Sequence, residues 1–563
     1  MLGTKVAAAQ GPTVQALEAL TSHVYLVRHD ICLFIVSFLV SFSIVIMPFE
    51  AYLSEALPWT ATSLDVPSLA NFTIFNDSVL ATSMTRYNRN TLPLGATYFA
   101  DEAHNSYVLR QTVHSTGVRS CTSLLLGLPG VVFYGPSMNG ILCAFANSTT
   151  PPPLQGTCVV VTFLWIPIAH ECLWLRQGND LYNSTSSPEF TLTFSLTQYP
   201  YPTLLWLKFI CRVVSTYVVV FFLWSRYYRH YFALAAIIAR HGHKVDLDKS
   251  DCWRYHLVAG DPTSILVTSP AIVGVFFIDL WLSPHVVATA VLRLLQTQDI
   301  ATMMRAALYL FRMVWIAYAS MCMMSFGLKR FRREHLFAPV DPTVLVLVMT
   351  FYGPLLWIVS GNVEVCLRLC QWLLVCLIPA AAHHERIEIV CVGTVYIILV
   401  ALLPLIYGFA LGYIRKPRIP SHAYSSYRYN SLKNRAFITQ VHPLRLGEHM
   451  GLSFGGSIYS IFEMNPHYKA RPTMNSRGSD LFLLCYRNDN LVVKLRLSLL
   501  SSIDPTGGFV SPPILDGNVP CDFHVNSLEF TGPQRKLMSI AGRGSVGTHI
   551  TIHRPRYPNA WCM

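Results

Sequence analysis

Six stretches of this chain are apolar over the length, or nearly the length, that a helix needs to cross a bilayer. They are Ile31 to Phe49, Leu204 to Trp224, Ile265 to Leu282, Met303 to Leu328, Thr343 to Val359 and Ile387 to Ile414. A hydrocarbon core about 30 Å thick takes about 20 residues of helix. Backbone inside it must satisfy its own hydrogen bonds, so helices are the expected form of all six. Composition agrees. Charged residues make up 13% of the 563, roughly half the share of a soluble domain, and the mean hydropathy is +0.41. That excludes a plain soluble enzyme, and the hydrophobicity excludes disorder. Two more apolar runs, Cys158 to Ala169 and Leu369 to Ala382, are too short to span comfortably. The second reads as re-entrant or interfacial. The first span follows a 30-residue leader and reads as a retained anchor rather than a cleaved signal peptide.

Three signals agree on sidedness. All four N-x-[ST] sequons, at Asn71, Asn76, Asn147 and Asn183, fall between spans one and two, as lumenal or outer glycosylation acceptors should. Basic residues cluster in alternate loops: Arg226, Arg229, Arg240, Lys244, Lys249 and Arg254, then Lys329, Arg330, Arg332 and Arg333. The positive-inside rule makes those loops cytoplasmic. Six spans put both termini inside, and Arg415, Lys416 and Arg418 directly follow the last span. Residues 50–200 carry a net −4 and residues 415–563 a net +10, an asymmetry expected of two compartments. Cys121, Cys143, Cys158 and Cys172 lie in the outer region. An even number in an oxidising compartment predicts two disulfides, with three connectivities open.

The expected fold class is therefore an α-helical polytopic membrane protein with six transmembrane helices. A cytoplasmic segment (1–30) precedes span one (31–49). A glycosylated extracytoplasmic domain (50–203) is followed by span two (204–224) and a cytoplasmic loop (225–264). Two membrane units (265–328 and 343–414) flank a second loop (329–342), and a basic cytoplasmic tail (415–563) ends the chain. In the outer domain, Phe190, Leu192, Phe194 and Leu196 alternate with Thr191, Thr193, Ser195 and Thr197. Period two predicts a half-buried strand, and the domain reads as β-rich. Val493, Leu495, Leu497 and Leu499 alternate in the same way in the tail.

The tail opens with Arg415, Lys416, Arg418, Arg428, Lys433 and Arg435, without an acid among them and with Tyr424, Tyr427 and Tyr429 interleaved. Such a segment beside a span gains about 1 kcal/mol per basic residue near an anionic leaflet. Anionic lipid is the expected partner. Basic and aromatic residues together also suit RNA, but the position beside a span favours lipid, and nucleic acid is not expected. A ligand for the outer domain and an oligomeric state are left open.

Comparing the chain with itself reveals a repeat. His256-Leu-Val-Ala-Gly-Asp-Pro-Thr263 precedes span three, and His335-Leu-Phe-Ala-Pro-Val-Asp-Pro-Thr343 precedes span five. Leu292-Arg-Leu-Leu-Gln296 and Leu367-Arg-Leu-Cys-Gln371 follow those spans, and Gly327 and Arg330 recur as Gly412 and Arg415. The order is the same in both copies, so the expectation is a parallel two-helix duplication with its pseudo-axis along the membrane normal. In each Asp-Pro-Thr, Asp261 or Asp341 is placed to cap a helix and Pro suits its first position. Arg293 with Gln296, and Arg368 with Gln371, share a face of an outer helix. Interfacial amphipathic helices are the plainer reading of these. An anion-lined vestibule, with Arg293 and Arg368 facing across the axis, is the other.

Ionisable groups inside spans mark functional sites. Here they are Lys208, Arg212, Asp279, Arg305 and Arg312. Lys208 reads as lying at the outer interface, and Arg212 must snorkel or be paired. Asp279 and Arg312 lack charged counterparts in the second copy, as a co-acquired ion pair would. The geometry of Arg312 alone leans instead toward snorkelling to the outer interface.

The chain holds no P-loop, HExxH, GxSxG or Rossmann glycine pattern. No cofactor, metal site or enzymatic activity is expected. The stretch from Gly260-Asp-Pro-Thr263 through Phe277-Ile-Asp-Leu-Trp-Leu-Ser283 resembles a group of polytopic membrane proteins of oomycetes. The resemblance covers about the central third and implies a multi-span fold with no activity to carry over. The layout also looks like that of polycystin and mucolipin channels, with an ectodomain after the first of six spans. No channel filter motif matches, so this is a likeness of layout. Two functions are expected to compete. One is a transporter or channel with its pathway in the duplicated hairpins. The other is a receptor or adhesion scaffold using the ectodomain and a lipid-docking tail. Either would sit in the plasma membrane or the endomembrane system.

Overall fold

The structure is a computed structural model. It describes residues 26–60, 71–114, 121–148, 151–181, 189–199, 201–241, 253–294, 300–331, 333, 336–337, 340–414, 480–487, 490–499 and 561–562. Asn183, Gln296 and the basic residues Arg415, Lys416, Arg418, Arg428, Lys433 and Arg435 lie outside the described residues.

Strand β1 (Leu26–His29) passes into helix α1 (Ile31–Glu50) at Asp30, whose carboxylate accepts the Leu33 N–H at 3.0 Å. That satisfies one of the free donors at a helix start. α1 buries a narrow stripe through Leu33, Ser37, Ser41 and Ile44 and exposes Ile35, Phe38, Leu39 and Phe42. An apolar face of that kind is one a bilayer would cover.

The next elements form the β domain. They are α2 (Phe72–Arg86), β2 (Tyr98–Asp101), β3 (Ser106–His114), α3 (Cys121–Leu125), α4 (Pro136–Asn147), β4 (Leu154–Phe163), β5 (Ile166–Gln177) and β6 (Glu189–Gln198). The sheet has six strands in the order β2-β3-β6-β5-β4-β8, its edge strand β8 being Arg386–Glu388 from far along the chain. β6 departs from the expected half-buried strand, since Thr191, Thr193, Ser195 and Thr197 are buried as well as Phe190, Leu192, Phe194 and Leu196. The reason is a layer on each side. α3, α4 and a three-ten turn at Val131–Phe133 cover one face, and α2 covers the other with Phe75 and Val79. The cysteines pair as Cys121–Cys143 and Cys158–Cys172. The second pair joins residues directly opposite one another on β4 and β5, with Cα atoms 4.0 Å apart.

The candidate membrane helices and the elements between them follow. They are α5 (Pro202–Leu223), which runs through a π turn at Trp224–Tyr228 into α6 (Arg229–His241), then, after β7 (Trp253–Ala259), α7 (Thr263–Val267), α8 (Pro270–Trp281), α9 (Pro284–Leu294), α10 (Ile300–Phe311), α11 (Val314–Arg330), α12 (Pro342–Asn362), α13 (Glu364–Val375), β8 (Arg386–Glu388) and α14 (Val390–Ile414). Among the described residues, five helical stretches are long and apolar enough to cross a membrane: Ile31–Leu53, Pro202–Ala233, Ile300–Leu328, Pro342–Asn362 and Val390–Ile414. A sixth exists only if Pro270–Trp281 and Val286–Leu294, which bend by 77°, count as one.

The expected third span, Ile265 to Leu282, is thus two pieces, α7 and α8, and the chain turns into α9 just beyond it. Proline explains the break and the turn: Pro270 and Pro284 have no N–H to donate, and each disfavours helix in the residue before it. Ser269 accordingly has ψ 116°. The expected fourth span, Met303 to Leu328, lies within the single stretch Ile300–Leu328, where a three-ten turn joins α10 to α11. The sixth starts at Val390 because Arg386–Glu388 is a strand, paired parallel to β4. α13 is 12 residues, too short to cross. The core is continuous from the inner face of the β sheet through Val131–Phe133 into α12, α13 and α14.

A second sheet joins distant parts of the chain. Its order is β1-β7-β9-β10-β11, with β9 (Asp480–Arg487), β10 (Asn490–Leu499) and β11 (Trp561–Cys562). β1 runs parallel to β7, and β7 antiparallel to β9. The alternating tail segment from Val493 is β10. The described parts of the N-terminal segment, the 225–264 loop and the tail therefore share one sheet.

Candidate functional site: a buried cluster of charges

Lys208 and Arg212 are four residues apart on α5 and so share a face. That face is turned inward. The Lys208 Nζ lies 2.7 Å from Glu55 Oε2, with both side chains buried, rather than at an outer interface. Glu55 reaches it because α1 ends in a three-ten turn at Ala51–Leu53, where the Ser54 and Glu55 N–H groups both donate to Ala51 O at 3.0 Å. The chain thus doubles back over the helix end.

Arg212 is 0% exposed and binds both anions. Its Nε donates to Asp279 Oδ1 at 2.8 Å and its Nη2 to Glu55 Oε1 at 2.8 Å. Nη2 also approaches Ser283 Oγ at 3.4 Å, and the guanidinium lies 4.6 Å from the centre of the Tyr52 ring. Arg312 donates from Nη2 to Asp279 Oδ2, and its Nη1 stands 3.8 Å from Glu55 Oε1. The Asp279–Arg312 pair is therefore formed, and Arg312 is buried rather than snorkelling. Tyr309 completes the set, its hydroxyl donating to Glu55 Oε1 at 2.9 Å. Burial alone would raise the Glu55 carboxyl. Lys208 and Arg212 beside it outweigh that and hold it well below the usual carboxylate range.

Three cations meet two anions, a formal +1. The Nη1 atoms of Arg212 and Arg312 have no hydrogen-bond partner among the described residues. Glu50, exposed at the end of α1, is near enough to Arg312 to interact electrostatically and makes no ion pair among the described residues. A helix elbow and a three-ten turn meet here. Ser283 lies in the α8–α9 elbow. Arg312 lies between α10 and α11, where the Arg312 and Met313 N–H groups turn back to Tyr309 O and Leu310 O, three residues behind. A short reach of backbone is thereby released from the helical ladder beside buried charge.

The outer-helix residues do not meet across an axis. The Arg293 Nε donates to the Tyr98 hydroxyl at 2.8 Å, and its guanidinium lies 5.0 Å from the centre of the Tyr107 ring. Arg293 thus clasps α9 to the β domain. Arg368 is 66% exposed and pairs with Glu364 one turn away. The Gln371 Nε2 donates to Asn139 Oδ1 on α4 at 3.3 Å. Arg293 and Gln371 thus make docking contacts with the β domain, while Arg368 pairs on its own helix. The two caps match. Asp261 Oδ1 accepts the Thr263 N–H at 3.0 Å, and Asp341 Oδ1 the Thr343 N–H at 2.8 Å.

Of the sequon residues, Asn71 and Asn147 are exposed. Asn76 is half-buried, and its Oδ1 accepts the Cys158 N–H at 2.7 Å. Two carboxylates escaped the sequence reading. Glu55 has no helical or spacing signal tying it to α5. Glu388 lies just before a span yet is buried. Its Oε2 accepts from Thr162 Oγ1 (2.9 Å) and the Trp165 N–H (3.1 Å), and its Oε1 from the N–H groups of Leu164 and Val390 (both 3.2 Å). Leu164 and Trp165 have φ of 50° and 68°, the left-handed geometry of a tight β4–β5 hairpin. Glu388 thus holds the hairpin and starts α14 at once.

No protein-family model, curated protein or solved structure matches this chain.

Proposed function

We propose that the chain is a multi-pass membrane transporter or channel for a small anion, its pathway passing the buried charge cluster. The observation that carries this is the cluster itself: three cations and two anions between the α8–α9 elbow and the three-ten turn that joins α10 to α11. Discontinuous helices around intramembrane charge are how many transporters build a substrate site. The surplus positive charge, with an Arg212 Nη1 that finds no hydrogen-bond acceptor among the described residues, favours an anion as the missing partner. The pathway then belongs to the first copy of the hairpin together with α1 and α5, not to an axis between the copies.

The same reading sets both termini and the 225–264 loop in the cytoplasm and the β domain on the lumenal or outer side of a plasma or endomembrane. The shared sheet of β1, β7 and β9 supports a common side for those parts. The exposed sequons at Asn71 and Asn147 support glycans on the other. The basic segment from Arg415 to Arg435 is the proposed anionic-lipid contact. A receptor or adhesion scaffold is the second reading, favoured by the direct clasp of the β domain onto α9 and α14 through Arg293 and Glu388.

Flux in proteoliposomes holding the purified full-length chain decides between them. Chloride, nitrate or phosphate should pass, and Arg212→Gln should slow the flux about tenfold, the worth of a charged hydrogen bond. Cation flux, or none with retained partner binding by the ectodomain, would reject transport of anions.

A further inference from the structure

The β4–β5 hairpin turns on Leu164 and Trp165, between the paired Phe163 and Ile166. Both loop residues have positive φ, 50° and 68°. A two-residue loop of this kind favours Asn-Gly, and a bulky side chain there is strained. This loop carries large apolar side chains instead. Leu164 is 46% exposed, Trp165 60% and Ile166 56%. A single exposed apolar residue is ordinary, but three in a row at a strained tip point to something outside the fold that covers them.

The supports of the hairpin say where the tip lies. The Glu388 carboxylate accepts the N–H groups of Leu164 and Trp165, and also that of Val390, the first residue of α14. The Tyr201 hydroxyl, one residue before α5, donates to Pro167 O at 2.6 Å. Phe163 meets Trp281, the last residue of α8, edge-on at 5.7 Å. The tip is thus tied to the starts of two candidate spans and the end of a third helix. The outer surface of α5 gives the depth scale. An exposed apolar face runs along it through Leu207, Ile210, Val213, Val214 and Val220, with exposed Trp206 and Trp224 at its two ends. These tryptophans are 18 residues apart, about 27 Å at 1.5 Å per residue, close to the ~30 Å of a hydrocarbon core. Tryptophan gathers at both interfaces of a bilayer. Trp206 lies four residues into α5, about 6 Å along its axis, so the boundary it marks falls beside the hairpin.

We propose that the β4–β5 hairpin is a membrane anchor of the β domain, its tip Leu164-Trp165-Ile166 entering the headgroup–acyl boundary of the leaflet on the β-domain side. Leu164 and Ile166 bury apolar surface there, and Trp165 sets its ring in the apolar layer with the indole N–H toward the headgroups. The proposal rests on α5 and α14 crossing the bilayer and not on anion transport.

Three full-length variants test it, each carrying the photocrosslinker p-benzoylphenylalanine in place of Trp165, Tyr217 or Leu94, in nanodiscs of phosphatidylcholine with an alkyne-tagged acyl chain. Tyr217 is exposed midway along α5 and reports on the span. Leu94 is more exposed than any residue of the tip, at 65%, and lies beyond the far end of β5, where the Gly95 N–H donates to Leu181 O. Ile166 to Gln177 alone is about 36 Å of strand. Lipid labelling at position 165 should match that at 217 and exceed that at 94 severalfold. The Cys158–Cys172 link on the same hairpin, mapped without reduction, verifies the fold of each variant. Labelling at 217 but not at 165, or covalent dimers from 165 in place of lipid adducts, overturns the anchor. No lipid adduct at 217 overturns the span and the anchor with it. A second measurement needs no crosslinker. The fluorescence lost in Trp165→Phe should be emission that acyl-brominated phosphatidylcholine quenches in the parent, and a difference spectrum untouched by the bromines would equally overturn the proposal.

Discussion

Replacing Asp279 by Asn removes one of the two anions that three buried cations share, and raises the formal charge of the cluster from +1 to +2. Asp279 holds Arg212 through Nε at 2.8 Å and Arg312 through its other oxygen, in side chains that solvent barely reaches. Breaking a buried pair from one side costs about 3–5 kcal/mol, because the cation left behind stays desolvated. Adding Arg312→Met or Lys208→Met restores the formal +1 in either case, but the two are not equivalent. Lys208 contacts Glu55, whereas Arg312 contacts Asp279 directly. Asp279→Asn/Arg312→Met should therefore recover much more than Asp279→Asn/Lys208→Met, with a coupling of about 1–3 kcal/mol. Equilibrium unfolding in mixed micelles, followed by tryptophan fluorescence, measures both cycles. Equal recovery would mean that only net charge matters. Additivity within about 0.5 kcal/mol would mean that Asp279 and Arg312 are not a pair.

Other expectations concern the β domain. Glu388→Ala should cost about 3–5 kcal/mol through loss of a buried, hydrogen-bonded charge, and limited proteolysis should open the β4–β5 hairpin first. Two buried neighbours pull stability in opposite directions with pH. Burial, aided by Arg86, lowers the His170 pKa from 6.5 to about 4, so its contribution is complete above pH 6.5 and is lost as the pH falls toward 4. Burial raises the Glu171 carboxyl well above 4.5, so its contribution is complete below that value and is lost as the pH rises. Glu171→Gln should leave a protein whose melting temperature climbs from pH 4 to 7 more steeply than that of the parent. Peptide mapping should find glycans at Asn71 and Asn147 and none at Asn76, whose carboxamide holds the start of the buried β4 segment.

The apolar runs announced nearly every membrane helix, because lipid demands long uninterrupted hydrophobicity and little else produces it. What they hid was the elbow at Ser283. A run such as Ile265 to Leu282 reads as continuous to a hydropathy average, while Pro270 and Pro284 decide where the helix stops. Four cysteines in one region predicted the two disulfides, but only strand register pairs Cys158 with Cys172. Asp279 and Arg312 were visible as a pair because both depart from the second copy. Glu55 was not, since it lies over 150 residues from Lys208 and no periodicity links a turn to a distant helix. Arg293 and Arg368 looked alike in sequence and differ in surroundings: one meets Tyr98 and Tyr107, the other its own helix. β1 and β7 were missed for a related reason. Each is short and lacks clear alternation, and each becomes a strand by pairing across the chain.

That pairing has a price in time. During synthesis β1 can align with β7 as soon as the latter leaves the ribosome, yet β9, which closes the other edge of β7, is encoded some 220 residues later. At about 5–20 residues per second the edge stands open for roughly 10–45 s while the last helices insert. An unpaired strand edge is a template for other chains. Termination anywhere before residue 480 would leave that edge bare for good, so nascent-chain surveillance has a defined feature to detect in a truncated product.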